Sequence, residues 1–486
     1  MRRPWFSHAR DGPTRSIYDA GFADSSIASI QRPRPELTRS MRVPPDRRPH
    51  RHRRGVSSSR SVWGDLRLVG PVTAPGLALL LLLTLAGCSH APSTYADLTP
   101  PTAPGPESGA PTVEIDPRNG DALLAWVAGG PGEWRLWFSR SHDRGATWSA
   151  PVAVSPPGEP IQLDLDSSPI LVCDDERHVG IAWSTAVYLP GRLERASDVR
   201  FARSTDGGRS WGPPATVNDD VATGPAQHSH FGLGLYPDGS LLAAWLDDRP
   251  GAERLDADVS EGVDASVHVA RSMDFGAHWG ANVAQWSRAC RDCRVAVAVD
   301  MMGQPLISFR KHYPGQIRDV VLARLEGPAV RAYPDGWVAP EAPHAGTSLV
   351  LSRDGTLRSV WYTGAPGRAG VWFRQDLPEL MDSTRTPLAL IRGGREPVIT
   401  SDIGKAGMSG SLIACDADTT GGDGLTLVRV RSNGRRVEER IVVAGAQGAS
   451  YPYVGSINTR RYAFVAWTER RDGMSKLRLL RWNLHR

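Results

Sequence analysis

SHDRGATW, at residues 141–148, is one of three octets that share a pattern in this chain. STDGGRSW follows at 204–211 and SMDFGAHW at 272–279, so the pattern recurs at intervals of 63 and 68 residues. The shared positions are Ser141, Asp143, Gly145, Trp148, Ser204, Asp206, Gly208, Trp211, Ser272, Asp274, Gly276 and Trp279. Asp accepts hydrogen bonds that close a turn, Gly takes the positive φ of that turn, and Trp buries apolar surface between neighbouring strands. Three copies indicate a repeat architecture.

A second repeat marks buried strands. Short apolar runs end in an aromatic residue, or once in Cys, at spacings of 52 to 64 residues. These end positions, called the slot residues below, are Trp126, Trp183, Trp245, Phe309, Trp361, Cys415 and Trp467. Evenly spaced strands with turn signals between them, and no long amphipathic helical stretch, predict an all-β fold. We expect residues 111–486 to form a β-propeller of four-stranded antiparallel blades, with seven blades from the slot residues and six as the alternative.

The basic charge of the chain belongs to its first 87 residues. Residues 1–87 contain 15 Arg and 6 acidic residues, whereas the remainder contains 42 basic and 46 acidic residues. The body therefore gives no reason to expect nucleic acid. Residues 1–66 are rich in Arg, Pro and Ser and predict a disordered leader. GLALLLLLTLAG at 76–87 is too short to span a membrane but suits a signal peptide.

The signal peptide ends in Leu85-Ala86-Gly87-Cys88, which resembles the lipobox of bacterial lipoproteins. The resemblance implies cleavage before Cys88 and lipidation of its sulfur; the alternative is an apolar segment with a chance Cys. Residues 88–110 are then predicted to be the lipidated Cys and a flexible tether, since 89–106 are rich in Pro, Ser and Ala. We therefore expect a protein of the bacterial cell envelope, periplasmic or surface-exposed, that meets the membrane only through a lipid anchor.

Cys290 and Cys293 form a C-x-x-C pair in the body of the chain. In an exported protein this pair could be a structural disulfide, a redox pair or half of a metal site. Met301, Met302 and His312 follow it, and such soft ligands would suit copper.

Blade geometry predicts where a functional site lies. In a four-stranded meander, the turns after the first and third strands lie at one end, and the turn after the second strand lies at the other. We call these the octet end and the loop end, and we expect the octets, as third-strand turns, to be structural. Charged and aromatic residues follow the slot residues at the loop end, and the candidates there are Asp247, Asp248, Arg249, Arg310, Tyr313, Tyr362, Glu469 and Arg470. His228 and His230 lie on the link into the third blade and are expected to face the same end.

The arginines among these candidates suggest an anionic ligand. Arg249, Arg310 and Arg470 occupy matching positions, and guanidinium groups that converge near an axis would bind a carboxylate through paired hydrogen bonds. Asp247, Asp248 and Glu469 could balance the charge or act as acid and base. The alternative is a set of solvated ion pairs at the loop mouths.

The octets resemble the Asp-box of the sialidase superfamily, and the strand pattern extends the resemblance over most of residues 111–486. In that family, three Arg bind the carboxylate of sialic acid, a Tyr activated by a Glu is the nucleophile, and an Asp is the acid or base. The resemblance implies catalytic candidates by position, namely Asp248, Arg249, Arg310, Tyr313, Glu469 and Arg470, with Asp258 in the same segment as Arg249. The family's Arg-Ile-Pro motif is absent, since that position reads Ser108-Gly109-Ala110-Pro111-Thr112.

Three function classes follow. The first is a propeller that binds a glycan or an envelope partner through the loop end. The second is an exo-sialidase-type glycoside hydrolase that cleaves terminal sialic acid with retention. The third is a metal- or redox-linked envelope protein that uses the C-x-x-C pair. We expect a monomer, a carboxylate-bearing glycan as partner, and no cofactor.

Overall fold

The computed structural model describes residues 94–130, 132–162, 167–174, 177–188, 195–220, 226–249, 265–352, 355–376, 382–403, 409–418, 423–446, 448–456 and 462–484. The chain divides into two units, Met1–His90 and Ala91–Arg486, and all described residues belong to the second. The predicted leader, the signal peptide, Cys88 and Asp258 lie outside the described residues. Within the described ranges, no helix is long and apolar enough to cross a membrane.

All regular structure in these ranges is β. The strands of the first half are β1 (Tyr95–Leu98), β2 (Glu107–Ile115), β3 (Ala122–Gly129), β4 (Arg135–Ser141), β5 (Val152–Ala153), β6 (Ile170–Cys173), β7 (Val179–Ser184), β8 (Val187–Tyr188), β9 (Arg195–Ala196), β10 (Val199–Ser204), β11 (Ala215–Thr216), β12 (His228–Leu235), β13 (Leu241–Asp247), β14 (Ala265–Ser272) and β15 (Val283–Ala289). Those of the second half are β16 (Ala296–Val299), β17 (Pro305–Tyr313), β18 (Ile317–Ala323), β19 (Val330–Arg331), β20 (Thr347–Leu351), β21 (Leu357–Thr363), β22 (Gly370–Asp376), β23 (Leu388–Arg392), β24 (Arg395–Ile403), β25 (Ser409–Asp418), β26 (Asp423–Val430), β27 (Val437–Val442), β28 (Ala449–Ser456), β29 (Tyr462–Arg471) and β30 (Met474–Asn483).

The strands pair into antiparallel sheets in chain order. Four-stranded sheets have the orders β2-β3-β4-β5, β6-β7-β10-β11, β20-β21-β22-β23, β24-β25-β26-β27 and β28-β29-β30-β1. A larger sheet consists of two four-stranded groups, β12–β15 and β16–β19, and a single pair, Ala289 with Lys311, joins them. The hairpin β8-β9 stands apart from these sheets.

The first strands of these groups form a closed ring. Contacts run from β2 to β6, β12, β16, β20, β24, β28 and back to β2. Radially arranged four-stranded meanders with their first strands around one axis are a β-propeller. The predicted all-β fold of four-stranded antiparallel sheets is therefore confirmed.

The slot residues fill the space between adjacent sheets. Each lies in the second strand of its group, and none is more than 1% exposed. Trp126, for example, packs with Phe464 and Leu479 of the sheet that closes the ring. Large apolar side chains at this position stabilise the ring because each sheet has two neighbours against which to bury them.

The N-terminal strand completes the last sheet. β1 pairs with β30 from Tyr95 opposite Trp482 to Leu98 opposite Leu479. The outer strand of this sheet thus comes from before Pro111, and it covers an edge that would otherwise be open. The boundary of the predicted tether, 88–110, needs correction, since β1 and the start of β2 lie within it.

The octets are turns between the third and fourth strands. In the first, Gly145 N donates to Ser141 Oγ at 2.8 Å, and Thr147 N donates to Asp143 Oδ1 at 2.8 Å. The same bonds recur in the second and third octets, around Asp206 and Asp274. Hydrogen bonds from Thr147 lower the pKa of Asp143 to about 2, because they favour the ionised carboxylate.

The Trp residues of the second and third octets pack against another sheet, not only between neighbouring strands as the sequence suggested. The rings of Trp211 and Phe138, the latter in the preceding sheet, lie 5.3 Å apart edge to face, and Trp279 and Phe201 lie 5.6 Å apart. Gly208 also sits on Phe138, where a Cβ would come within 2.1 Å of the ring. The octets therefore fasten one sheet to the next.

Candidate functional site

The two ends of the ring are distinct. His142 of the first octet contacts Asp121, in the turn between β2 and β3, at 2.8 Å, and Arg140 contacts Asp116 at 3.2 Å. First-strand and third-strand turns thus meet at the octet end. The candidates that follow the slot residues lie at the opposite, loop end.

Arg249 is bonded within the wall at the loop end. Its guanidinium donates to Asp247 Oδ2 at 2.8 Å, Asp219 Oδ1 at 2.8 Å and Asn282 Oδ1 at 2.9 Å. Asp247 is fully buried and also accepts from Trp245 Nε1 at 2.9 Å. The charge of Arg249 is therefore matched by carboxylates of its own chain.

The same cluster contains His228. Its Nε2 lies 3.0 Å from Asp220 Oδ1 and 3.5 Å from Asp247 Oδ2, and its Nδ1 lies 2.6 Å from the carbonyl of Ser197. All four groups are buried. The cluster ties β12 to β13 and to the sheet before them, which is a structural role.

Arg310 is also bonded within the protein. It donates to three carbonyl oxygens, of Ala345 at 3.1 Å, Arg318 at 2.7 Å and Tyr362 at 2.6 Å. It is only 1% exposed and lies over the ring of Trp337 at 4.9 Å. A buried guanidinium needs acceptors, and these carbonyls supply them. The expected convergence of Arg249 and Arg310 on one carboxylate is therefore not formed.

The other sequence candidates have separate partners. Glu469 lies 3.7 Å from Arg471 and 3.6 Å from Arg478, and Tyr313 lies under Arg331 at 3.9 Å. Asp248 lies 3.6 Å from Arg291. Arg470 donates its backbone N–H to the carbonyl of Gly448 at 3.1 Å. The structure does not assemble these residues into one catalytic group.

Cys290 and Cys293 are joined by a disulfide and are fully buried, with their Cα atoms 5.7 Å apart. Cys290 N donates to the carbonyl of Arg310, at the loop end. Met301 and Met302 lie on the turn after β16, at the octet end, and are 61% and 83% exposed. Among the described residues, no group of three or more His, Cys, Asp or Glu could hold a metal ion. The metal set suggested by the sequence is thus divided between the two ends.

The ring encloses a central cavity of about 320 Å³. Every first strand of the ring lines it, together with the residues just before those strands. Most of the wall is apolar, with Leu171, Leu233, Val297, Leu349 and Val398 among its residues. Concave, mostly apolar sites with a few polar groups are the usual form of ligand pockets.

The ionisable groups of the cavity are Glu114, Arg294, Glu396, Tyr451 and Tyr453, and Ser168, Thr347, Ser348 and Thr400 add hydroxyl groups to its wall. Tyr453 Oη donates to Glu114 Oε1 at 2.9 Å. Burial raises the pKa of Glu114 to about 7, against the opposing effects of its hydrogen bonds with Tyr453 and the backbone of Ile115. Burial, followed by the nearby Glu114 carboxylate, raises the pKa of Tyr453 well above its ordinary value.

Arg294 and Glu396 lie nearer the loop end of the cavity. Arg294 donates to the carbonyls of Thr347 and Pro397, each at 3.4 Å, and Glu396 Oε2 accepts from Tyr451 N at 3.2 Å. The cavity thus carries Glu114 and Tyr453 in its inner part and Arg294 and Glu396 nearer the loop end.

Bulges in the first strands shape the loop end of the cavity. In β2, β12, β24 and β28, two residues oppose one slot residue. At each bulge one residue that is not Gly has a positive φ, namely Ala110 at 46°, His230 at 55°, Glu396 at 45° and Tyr451 at 51°. Bulges re-aim side chains, and such backbone strain concentrates at functional sites.

The sequence analysis missed Glu114, Arg294, Glu396, Tyr451 and Tyr453. A signal for three of the four bulges was present, because Pro is the second bulge residue in Ala110-Pro111, Glu396-Pro397 and Tyr451-Pro452. Pro disfavours regular pairing in a strand and is typical of bulges.

No protein-family model matches this chain, and no curated protein sequence matches it. Solved structures with a similar fold include a Trypanosoma rangeli sialidase, 13% identical, with 78% of this chain and 55% of that chain covered and a TM-score of 0.47. An α-L-arabinanase from Penicillium chrysogenum is 16% identical, with 81% and 98% covered and a TM-score of 0.46. An ulvan lyase is 13% identical, with 77% and 93% covered and a TM-score of 0.48. The fold assignment rests on the ring of sheets described above.

Proposed function

We propose that this chain is a glycan-binding β-propeller whose ligand enters the central cavity from the loop end. The observation that carries the proposal is the meeting of Glu114, Tyr453, Arg294 and Glu396 on one cavity with apolar walls. Carboxyl, phenol and guanidinium groups supply donors and acceptors for sugar hydroxyls, and the apolar wall excludes water around them. The resemblance of the octets to the Asp-box favours a glycan over other polar ligands.

The wider organisation is proposed on the same basis. We infer seven blades, since each first strand of the ring begins a four-stranded group. We also propose export and lipid anchoring at Cys88, because the lipobox-like segment lies in the sequence directly before the unit Ala91–Arg486. Loss of the full-length protein from the membrane fraction on Cys88→Ser would support the anchor, and unchanged partition would contradict it.

Glycan-array binding of the labelled full-length chain tests the central proposal. Ser168 lines the cavity, so Ser168→Trp narrows it and is expected to abolish binding to the glycans that the wild type retains. His278→Ala is the matched control, because this side chain is 88% exposed at the octet end. Binding that survives Ser168→Trp in a normally folded variant would place the ligand elsewhere.

Glycoside cleavage is the second candidate. Its support is the raised pKa of Glu114, about 7, which suits a general acid or base at neutral pH. A sialidase-type Tyr nucleophile is disfavoured, because the pKa of Tyr453 is raised rather than lowered. Release of a fluorogenic leaving group from a panel of glycosides, sialosides included, should disappear in Glu114→Gln. Equal turnover by that variant would exclude Glu114 as the acid or base.

A further inference from the structure

We propose that the carboxyl of Glu114 and the phenol of Tyr453 receive a cationic group, the ammonium of an amino sugar. The inference rests on the proposed function and deepens it, because it names the ligand group that reaches the inner part of the cavity. It also departs from the carboxylate ligand that the sequence suggested.

The carboxyl of Glu114 lacks a cationic side chain as a partner among the described residues. Its carboxyl has two hydrogen-bond partners, the Tyr453 hydroxyl at 2.9 Å and the backbone of Ile115. No ion pair joins it to an Arg, Lys or His among the residues that the structure describes. Glu114 lines the cavity and is partly exposed there. Without a paired cation its carboxyl keeps the proton to higher pH, because desolvation makes an isolated charge costly. An ammonium from the ligand would pair with the ionised form and stabilise it.

The wall of the cavity has more carboxyl groups than cationic groups. Its wall holds two carboxyl groups, Glu114 and Glu396, and one guanidinium, Arg294. Arg294 already donates to the carbonyls of Thr347 and Pro397. A ligand carboxylate would add a third carboxyl group to this wall, whereas an ammonium would stabilise the ionised form of Glu114.

The ligands that are present favour an ammonium over a divalent metal ion. A divalent metal ion needs several oxygen ligands at once, and the described ranges contain no group of three or more His, Cys, Asp or Glu that could hold one. An ammonium needs fewer, since its three N–H donors are satisfied by one carboxylate and neighbouring hydroxyl or carbonyl oxygens. The rings of Tyr451 and Tyr453 also line the cavity, and aromatic rings attract organic cations.

The experiment compares four monosaccharides on the full-length chain by ligand-observed NMR and calorimetry. The probes are glucosamine, N-acetylglucosamine, glucose and glucuronic acid. We expect glucosamine to bind at least about tenfold more tightly than the other three, since a charged hydrogen bond is worth roughly 1.5–3 kcal/mol. Near neutral pH its binding should also release protons, because the ammonium favours the ionised form of Glu114. Calorimetry in buffers of different ionisation enthalpy measures this release.

Glu114→Gln keeps the size of the side chain and removes its charge. It should reduce glucosamine affinity to that of glucose and abolish proton release. The matched control is Glu133→Gln, which removes an exposed carboxylate from the β3–β4 turn and should change neither. Thermal unfolding of both variants separates a folding defect from loss of the binding group.

The outcomes distinguish this inference from the proposed function. Binding of glucose or glucuronic acid as tight as that of glucosamine would overturn the ammonium assignment and leave glycan binding standing. If butylamine binds and none of the four monosaccharides does, the result would support the ammonium site and overturn the glycan proposal. If neither sugars nor butylamine bind, both are wrong.

Discussion

At the residue scale, Glu114 couples stability to pH. Its pKa is raised from 4.5 to about 7, so the native state holds this proton more tightly than the unfolded chain does. The stabilising effect of the bound proton is full below the unfolded pKa and is lost as the pH rises to about 7. Glu114→Gln removes this titration, and we expect the variant to be more stable than the wild type by ~1–3 kcal/mol near pH 8.

Urea denaturation measures this difference. The gap between Glu114→Gln and the wild type should close as the pH falls below about 4.5, where Glu114 becomes protonated in both states. The three octet carboxylates, with pKa values of about 2, destabilise both proteins equally on further acidification. A gap that is independent of pH would mean that Glu114 does not titrate as described.

At the element scale, the octets combine a local turn with a contact between sheets. The turn was predictable, because Ser, Asp and Gly determine it within eight residues. The partner of the Trp was not, because Phe138 is distant in sequence from Trp211 and reaches it only when two sheets pack. The slot residues were also predictable. Each four-stranded group contributes one of them, so their regular spacing is visible in the sequence.

Trp211→Ala tests the contact between sheets. The side chain is partly buried and packs edge to face on Phe138, so we expect a loss of ~2–4 kcal/mol in the free energy of unfolding. Arg209→Ala, in the same octet but exposed, should leave stability within about 0.5 kcal/mol of the wild type. Denaturant unfolding gives both values. Equal stability of the two variants would contradict the conclusion that the octet stabilises the packing of one sheet against the next.

At the scale of the whole molecule, the site was harder to predict than the fold. The sequence directed attention to residues after the second strands, yet the cavity is lined by the first strands. Which side chains of a strand face the axis depends on its register, and one extra residue at a bulge changes that direction. Glu114 and Tyr453 lie 339 residues apart and meet only because the ring closes.

The N-terminal strand β1 packs against the cores on both sides of the last sheet, which gives the last prediction. Tyr95 packs into the core between the last two sheets, and Leu98 packs into the core between the last and first sheets. One short strand therefore joins three sheets. We expect Tyr95→Ala with Leu98→Ala to lower the free energy of unfolding by ~2–5 kcal/mol, because apolar contacts are lost on both faces of β1. Asp97→Ala, on the same strand but exposed, is the control and should change little.

Hydrogen exchange adds a spatial readout, since opening of the ring should raise exchange in β28–β30 before it does so in β12–β15. Uniform exchange, or stability equal to that of the Asp97→Ala control, would show that the ring holds without its N-terminal strand.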